Sequence, residues 1–113
     1  MPDGGSNKRA FVSKADDDAM RTRIMRMMVE GLVTEVEPFP KTQKEFNAIV
    51  DKLRSLPLDD LEKLLVISGF VHHPVGDQSC ANCIYYLPNR KFCDIPELAL
   101  PVEADWWCRL WRV

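Results

Sequence analysis

Apolar positions recur with a helical period through the first two-thirds of the chain. Met20, Ile24, Met27, Met28 and Leu32 follow the i, i+4, i+7, i+8, i+12 spacing of one helix face. Asp16, Asp17 and Asp18 stand just before them. Carboxylates in a first turn accept from free N–H groups and complement the helix dipole, so a helix is predicted to open there and to weaken or end at Gly31. The methionine stripe reads as core packing, with an adaptable docking face as the alternative, because Met repacks readily. Pro38 and Pro40 break the chain. Thr42 with Glu45 three residues on forms a capping box for a second helix. Its face is Phe46, Ile49, Val50, Leu53 and Leu56, and Pro57 ends it. Asp59 and Glu62 suggest another capping box, Leu61, Leu64, Leu65 and Ser68 a third stripe, and Gly69 its C-cap. The two short helices could mimic a helix-turn-helix, but no basic recognition helix follows, so the reading is a plain helical hairpin.

From Val71 onward the texture changes. Pro74, Gly76, Asp77, Pro88, Asn89, Pro96 and Pro101 interrupt every period. The expected fold is therefore mainly α, a helix plus a helical hairpin, with a small irregular Cys-rich metal-stapled module at the C-terminal end. Three regions follow: an extended arm over 1–15, a helical region over 16–71 and a four-cysteine module over 72–113. Ordering the arm would need a partner surface to lie against.

Composition narrows the class. The 113 residues are 46% hydrophobic, enough for one modest packed core. A formal net charge of −2 argues against general nucleic-acid binding. Arg21, Arg23 and Arg26 read as the solvated face of their helix rather than a nucleic-acid patch. No apolar run is long enough for a membrane span. Met1 to Lys14 lacks the basic and apolar regions of a signal peptide, so cytoplasmic synthesis in a reducing compartment is expected. No nucleophile–base pairing or phosphate-cradling loop stands out, so no catalytic residue is assigned, no enzyme activity is expected and no small-molecule substrate is identified.

The chemistry lies in Cys80-x2-Cys83-x9-Cys93-x14-Cys108, the only cysteines in the chain. Zinc is permissible but usually takes two short chelate loops, and here there is one. His72 or His73 could substitute as a ligand, although a surface pair after a helix end is the plainer reading. Two disulfides would need an oxidising environment. An iron–sulfur cubane needs one thiolate per iron, tolerates isolated ligands and favours bulky aromatic shielding, so it suits the spacing best. Tyr85, Tyr86, Trp106, Trp107 and Trp111 could shield it. Arg90, Lys91, Arg109 and Arg112 could offset its negative charge.

Cys80-Ala81-Asn82-Cys83, then Cys93 followed by Asp94-Ile95-Pro96-Glu97-Leu98, then Trp107-Cys108-Arg109-Leu110-Trp111, resembles the cluster-binding segment of high-potential iron–sulfur proteins. The same residues are similar to small four-cysteine modules of phage and bacterial proteins and of minor subunits of radical enzymes. The resemblance covers residues 80–111. It implies that Cys80, Cys83, Cys93 and Cys108 ligate a 4Fe–4S cluster shielded by Tyr85, Trp107 and Trp111. The Cys83–Cys93 gap is shorter than in the electron carriers, and the helical part has no counterpart in them. The expected function is a small non-enzymatic 4Fe–4S protein acting as a structural or accessory component of a larger assembly, either a phage particle that is later released or an enzyme complex. An electron-transfer protein and a zinc-stapled interaction domain are the alternatives.

Overall fold

The structure, a computed structural model, describes residues 13–113. The expected arm over 1–15 therefore falls almost wholly outside the described residues. Helix α1 spans Lys14–Val29, α2 Gln43–Arg54 and α3 Leu61–Ser68. A 3-10 turn, Cys80–Asn82, leads into strands β1 (Tyr86–Leu87), β2 (Phe92–Cys93) and β3 (Leu100–Pro101).

Helix α1 opens two residues earlier than the aspartates suggest. Ser13 is its N-cap, accepting from the Asp16 N–H at 3.1 Å, and Asp16 and Asp17 occupy the first turn. Ile24 and Met28 are buried, and Met20, Met25, Met27 and Leu32 pack partly buried against the core. The face also buries Asp17 and Arg21, at 4% and 5% exposure. Arg21 is thus not on the solvated face, whereas Arg23 and Arg26 are exposed. Helix α2 carries the complete Thr42–Glu45 capping box and buries Phe46, Ile49 and Leu53. Helix α3 is capped by Asp60, one residue later than expected, and Ser68 satisfies its buried hydroxyl by donating to Leu64 O at 2.6 Å. Gly69 ends α3 with φ +71°. A Cβ there would collide with the Glu35 carbonyl oxygen, while Arg109 Cγ would lie 3.2 Å away.

The expectation of a mainly α fold with an irregular tail is not met: the architecture is mixed. The C-terminal part contains a three-stranded antiparallel sheet in the order β1-β2-β3, with Tyr86 opposite Cys93, Cys93 opposite Leu100 and Phe92 opposite Pro101. Strands of two residues are too short to show an alternating period, so the sequence pattern conceals them. Pro101 is tolerated because β3 is an edge strand. Nor is this part poor in backbone bonds. Cys80 N–H donates to Trp106 O at 2.7 Å, Ile84 N–H to Arg112 O at 2.8 Å and Arg109 N–H to Ser68 O at 3.0 Å. Val71 and Trp107 exchange bonds at 2.8 and 3.1 Å. Buried residues of all three helices and of the cysteine segment form one apolar cluster, from Ile24 to Leu110. Among the described residues no helix is long and apolar enough to cross a membrane.

Two outcomes follow. Gly69→Ala combines a left-handed φ with a backbone collision and should lower unfolding free energy by about 2 kcal/mol or more. Gly31→Ala, at φ +106° with nothing within 4 Å of the added carbon, meets only the conformational penalty and should cost less in the same urea titration. Separately, Thr42→Ala should cost about 1 kcal/mol. The N–H groups of Lys41 and then Thr42 hold the Glu45 carboxyl below its usual range. A depressed carboxylate contributes stability above its unfolded pKa and loses it as pH falls through the folded one. The gap between wild type and Glu45→Gln should therefore be widest above about pH 5 and narrow as the pH falls below the ordinary glutamate value. Denaturation at a series of pH values reads it.

Candidate metal centre

Three separate pieces of backbone carry the four thiols. Cys80 opens the 3-10 turn and Cys83 follows it. Cys93 ends β2. Cys108 follows Trp107, whose backbone is bonded to Val71. Asn82 braces the first loop. Its carbonyl oxygen accepts from Ser79 N–H at 3.0 Å and from the Trp111 indole at 2.8 Å, and its amide donates to Asp77 O at 2.8 Å. This ties the Cys80–Cys83 loop to the chain just beyond Cys108.

All four thiols line one cavity, with Phe70, Tyr85, Tyr86, Ile95, Val102 and Trp111 as the other walls. The space between its atoms is about 290 Å³ including the open mouth, but only about 10 Å³ can take the centre of a water molecule. That is room for about one water, with almost no polar partner to hold it. A four-iron group would require the thiols to spread. Cys80, Cys93 and Cys108 are buried at 8%, 6% and 6% exposure, and Cys83 is half-buried. None is in a disulfide.

Every pair among the four is near enough for one thiolate to disfavour the other. Desolvation is the larger effect and pushes the Cys93 thiol up to about 12, with Cys80 and Cys108 raised strongly as well. Opposing this, the Ile95 N–H donates to the Cys93 sulfur and the Leu110 N–H to the Cys108 sulfur. Each is a donor two residues beyond its thiol, and each favours the thiolate. Among the described residues, no three His, Cys, Asp or Glu side chains come close enough to hold a single metal ion.

Several expected companions lie elsewhere. Trp107 is not among the cavity walls. It stacks on Phe39 with centroids 6.2 Å apart, and its indole donates to Gln78 at 2.8 Å. Trp106 is wholly buried and also absent from the walls; its indole N–H is the one buried side-chain polar atom without a partner among the described residues. His72 and His73 are exposed and do not reach the cavity. The four cations are committed to other groups. Arg90 pairs with Asp17 at 2.6 Å and Lys91 with Glu103 at 2.9 Å. Arg109 donates to Ile67 O and Glu35, and Arg112 to Pro40 O while lying over the Phe46 ring. Phe70 and Val102 were not legible as site residues. Phe70 could have been found as the apolar residue that follows a helix-ending glycine and folds back on the core. Nothing local marks Val102.

No protein family, curated protein or solved structure matches the chain. The resemblance of residues 80–111 therefore rests on those residues alone.

Exposure orders the thiols for a chemical probe. In metal-free protein at pH 8, iodoacetamide should modify Cys83 first, leaving Cys80, Cys93 and Cys108 slow because they are buried and protonated. Peptide mass mapping over time reads this. Equal rates at all four positions would show that the cavity does not persist in solution.

Proposed function

We propose that the chain holds a 4Fe–4S cluster on Cys80, Cys83, Cys93 and Cys108 and serves, without catalysing a reaction, as a structural or accessory component of a larger assembly. The observation that carries the reading is the convergence of all four thiols on one apolar, aromatic-walled cavity. Their spacing in the chain, one short Cys80–Cys83 loop and two isolated cysteines, favours a cluster over zinc, which usually takes two short loops. One zinc needs its sulfurs at about 2.3 Å from a single point, whereas a cubane spreads its ligands over four irons. The Ile95 and Leu110 N–H groups supply what the cavity lacks in cations, since donors to sulfur stabilise a negatively charged cluster. When bound, the cluster would cross-link three backbone pieces that otherwise meet only through hydrogen bonds and packing.

The assembly part of the reading is supported by apolar side chains that the fold leaves outside. Ile84 is 66% and Val113 88% exposed, and the backbone bond from Ile84 to Arg112 puts both beside the half-buried Cys83. The same exposure of Cys83 favours a second reading, electron transfer, because a cluster edge near solvent can exchange electrons. Voltammetry separates the two: a reversible couple supports transfer, and an inaccessible one supports the staple. Elution of the loaded protein at its own 13.0 kDa from the cells that make it counts against assembly.

Protein purified without oxygen should be brown, with about four irons and about four acid-labile sulfides per chain. Cys108→Ser should lose most of both. A colourless chain with about one zinc sinks the cluster reading.

A further inference from the structure

We propose that Arg21, on the described helix furthest along the chain from the cysteines, is a positioning residue for the Cys93 corner of the thiol site. The inference rests on reading the four thiols as one binding site.

Arg21 is 5% exposed, and its guanidinium is spent almost entirely on backbone carbonyls. Nε donates to Val102 O at 3.0 Å. One terminal nitrogen donates to Lys91 O at 2.7 Å and to Arg90 O at 3.1 Å, and the other to Asp18 at 2.7 Å. Arg90 and Lys91 form the turn from which β2 departs, and Cys93 is the second residue of β2. Val102 follows β3 and is itself a wall of the cavity. A planar, rigid fork that binds both sites fixes the spacing between them, which a lysine's single ammonium cannot do. Lys91 needs such holding, since it is a non-glycine residue at φ +57°. Its carbonyl also accepts from Val102 N–H at 2.9 Å. One turn earlier on α1, Asp17 takes the Arg90 guanidinium in two bonds of 2.6 and 3.0 Å. That guanidinium lies 3.7 Å over the Phe92 ring, next to Cys93. Helix α1 thus grips the approach to one thiol and the wall facing it. The other buried thiols are held differently: Cys80 is bonded to Trp106, and Cys108 lies between Val71-bonded Trp107 and Ser68-bonded Arg109.

The test compares wild type, Arg21→Lys and Arg21→Met with Thr42→Ala, which weakens α2 without touching this network. Alkylation by iodoacetamide is followed cysteine by cysteine in metal-free protein, and iron, sulfide and the absorption spectrum are measured in loaded protein. Releasing three carbonyls should speed Cys93 relative to Cys108 by about tenfold in Arg21→Met, and by less in Arg21→Lys. Loaded Arg21→Met should show an altered spectrum and reduced iron. If Cys80, Cys93 and Cys108 all speed up together, as expected for Thr42→Ala, Arg21 is only a fold stabiliser and the proposal is overturned. Should Arg21→Met not fold, Arg21→Lys carries the same comparison. A wild-type chain that takes up no iron or sulfide overturns the cluster reading, while the alkylation pattern still decides the role of Arg21 at the thiols.

Discussion

Residues 104–112 are the seam on which the rest of the molecule closes. Their backbone bonds to Ala81 and Cys80 on one side, to Val71 and Ser68 on another, and to Ile84 near the end. Ala104 O, Trp106 O and Arg112 O accept from the Cys80–Cys83 loop and its exit, while Trp107 and Arg109 bond to the chain around the end of α3. Through this seam helices α2 and α3 and the cysteine loops share one core. Cys108 lies in the middle of it, so the bonds that close the fold also carry the last thiol to the other three. Buried backbone groups must find partners, and in this region of little regular structure they find them across the seam.

Two buried arginines do for the loops what ladders do for sheets. Arg21 gathers carbonyls from the turn before β2 and from the residue after β3. Arg109, 3% exposed, gathers Ile67 O and Pro38 O and pairs with Glu35, closing the end of α3 against the loop before α2. A desolvated guanidinium is tolerable because each of its nitrogens donates to an acceptor and a carboxylate is near. The consequence for the thiol site is that the nearby cations are used up. Negative charge on Cys93 and Cys108 is met by backbone N–H groups, while Arg90, Lys91, Arg109 and Arg112 are bonded to other groups.

Much of the helical part was legible because its signals are local. The Thr42–Glu45 box and the Gly69 cap depend on residues within one turn of each other, and they stand where the pattern puts them. The errors there are also local: Ser13 outcompetes the aspartates as a cap, and Asp60 replaces Asp59, each through one side-chain bond. Charge on an amphipathic helix is usually solvated, and for Arg21 only contact with a segment 70 residues away reverses that. The strands escaped because two residues carry no period. Adjacency to Cys108 suggests a shielding role for Trp107, but its aromatic partner is Phe39.

The chain by itself determined three helices with nearly their true bounds and the apolar faces that bury, and it singled out the four cysteines that the fold brings to one cavity. Those properties follow from residue type and spacing over a few positions, where backbone geometry alone sets who can meet whom. Tertiary structure alone decided that the cysteine segment is partly a sheet, that the cations beside it in sequence are bonded to other groups, that Phe70 and Val102 wall the thiols, and that α1 reaches the turn before the Cys93 strand. These are contacts between segments far apart in the chain. They are selected by which buried polar groups can be satisfied together, a condition that no local pattern records.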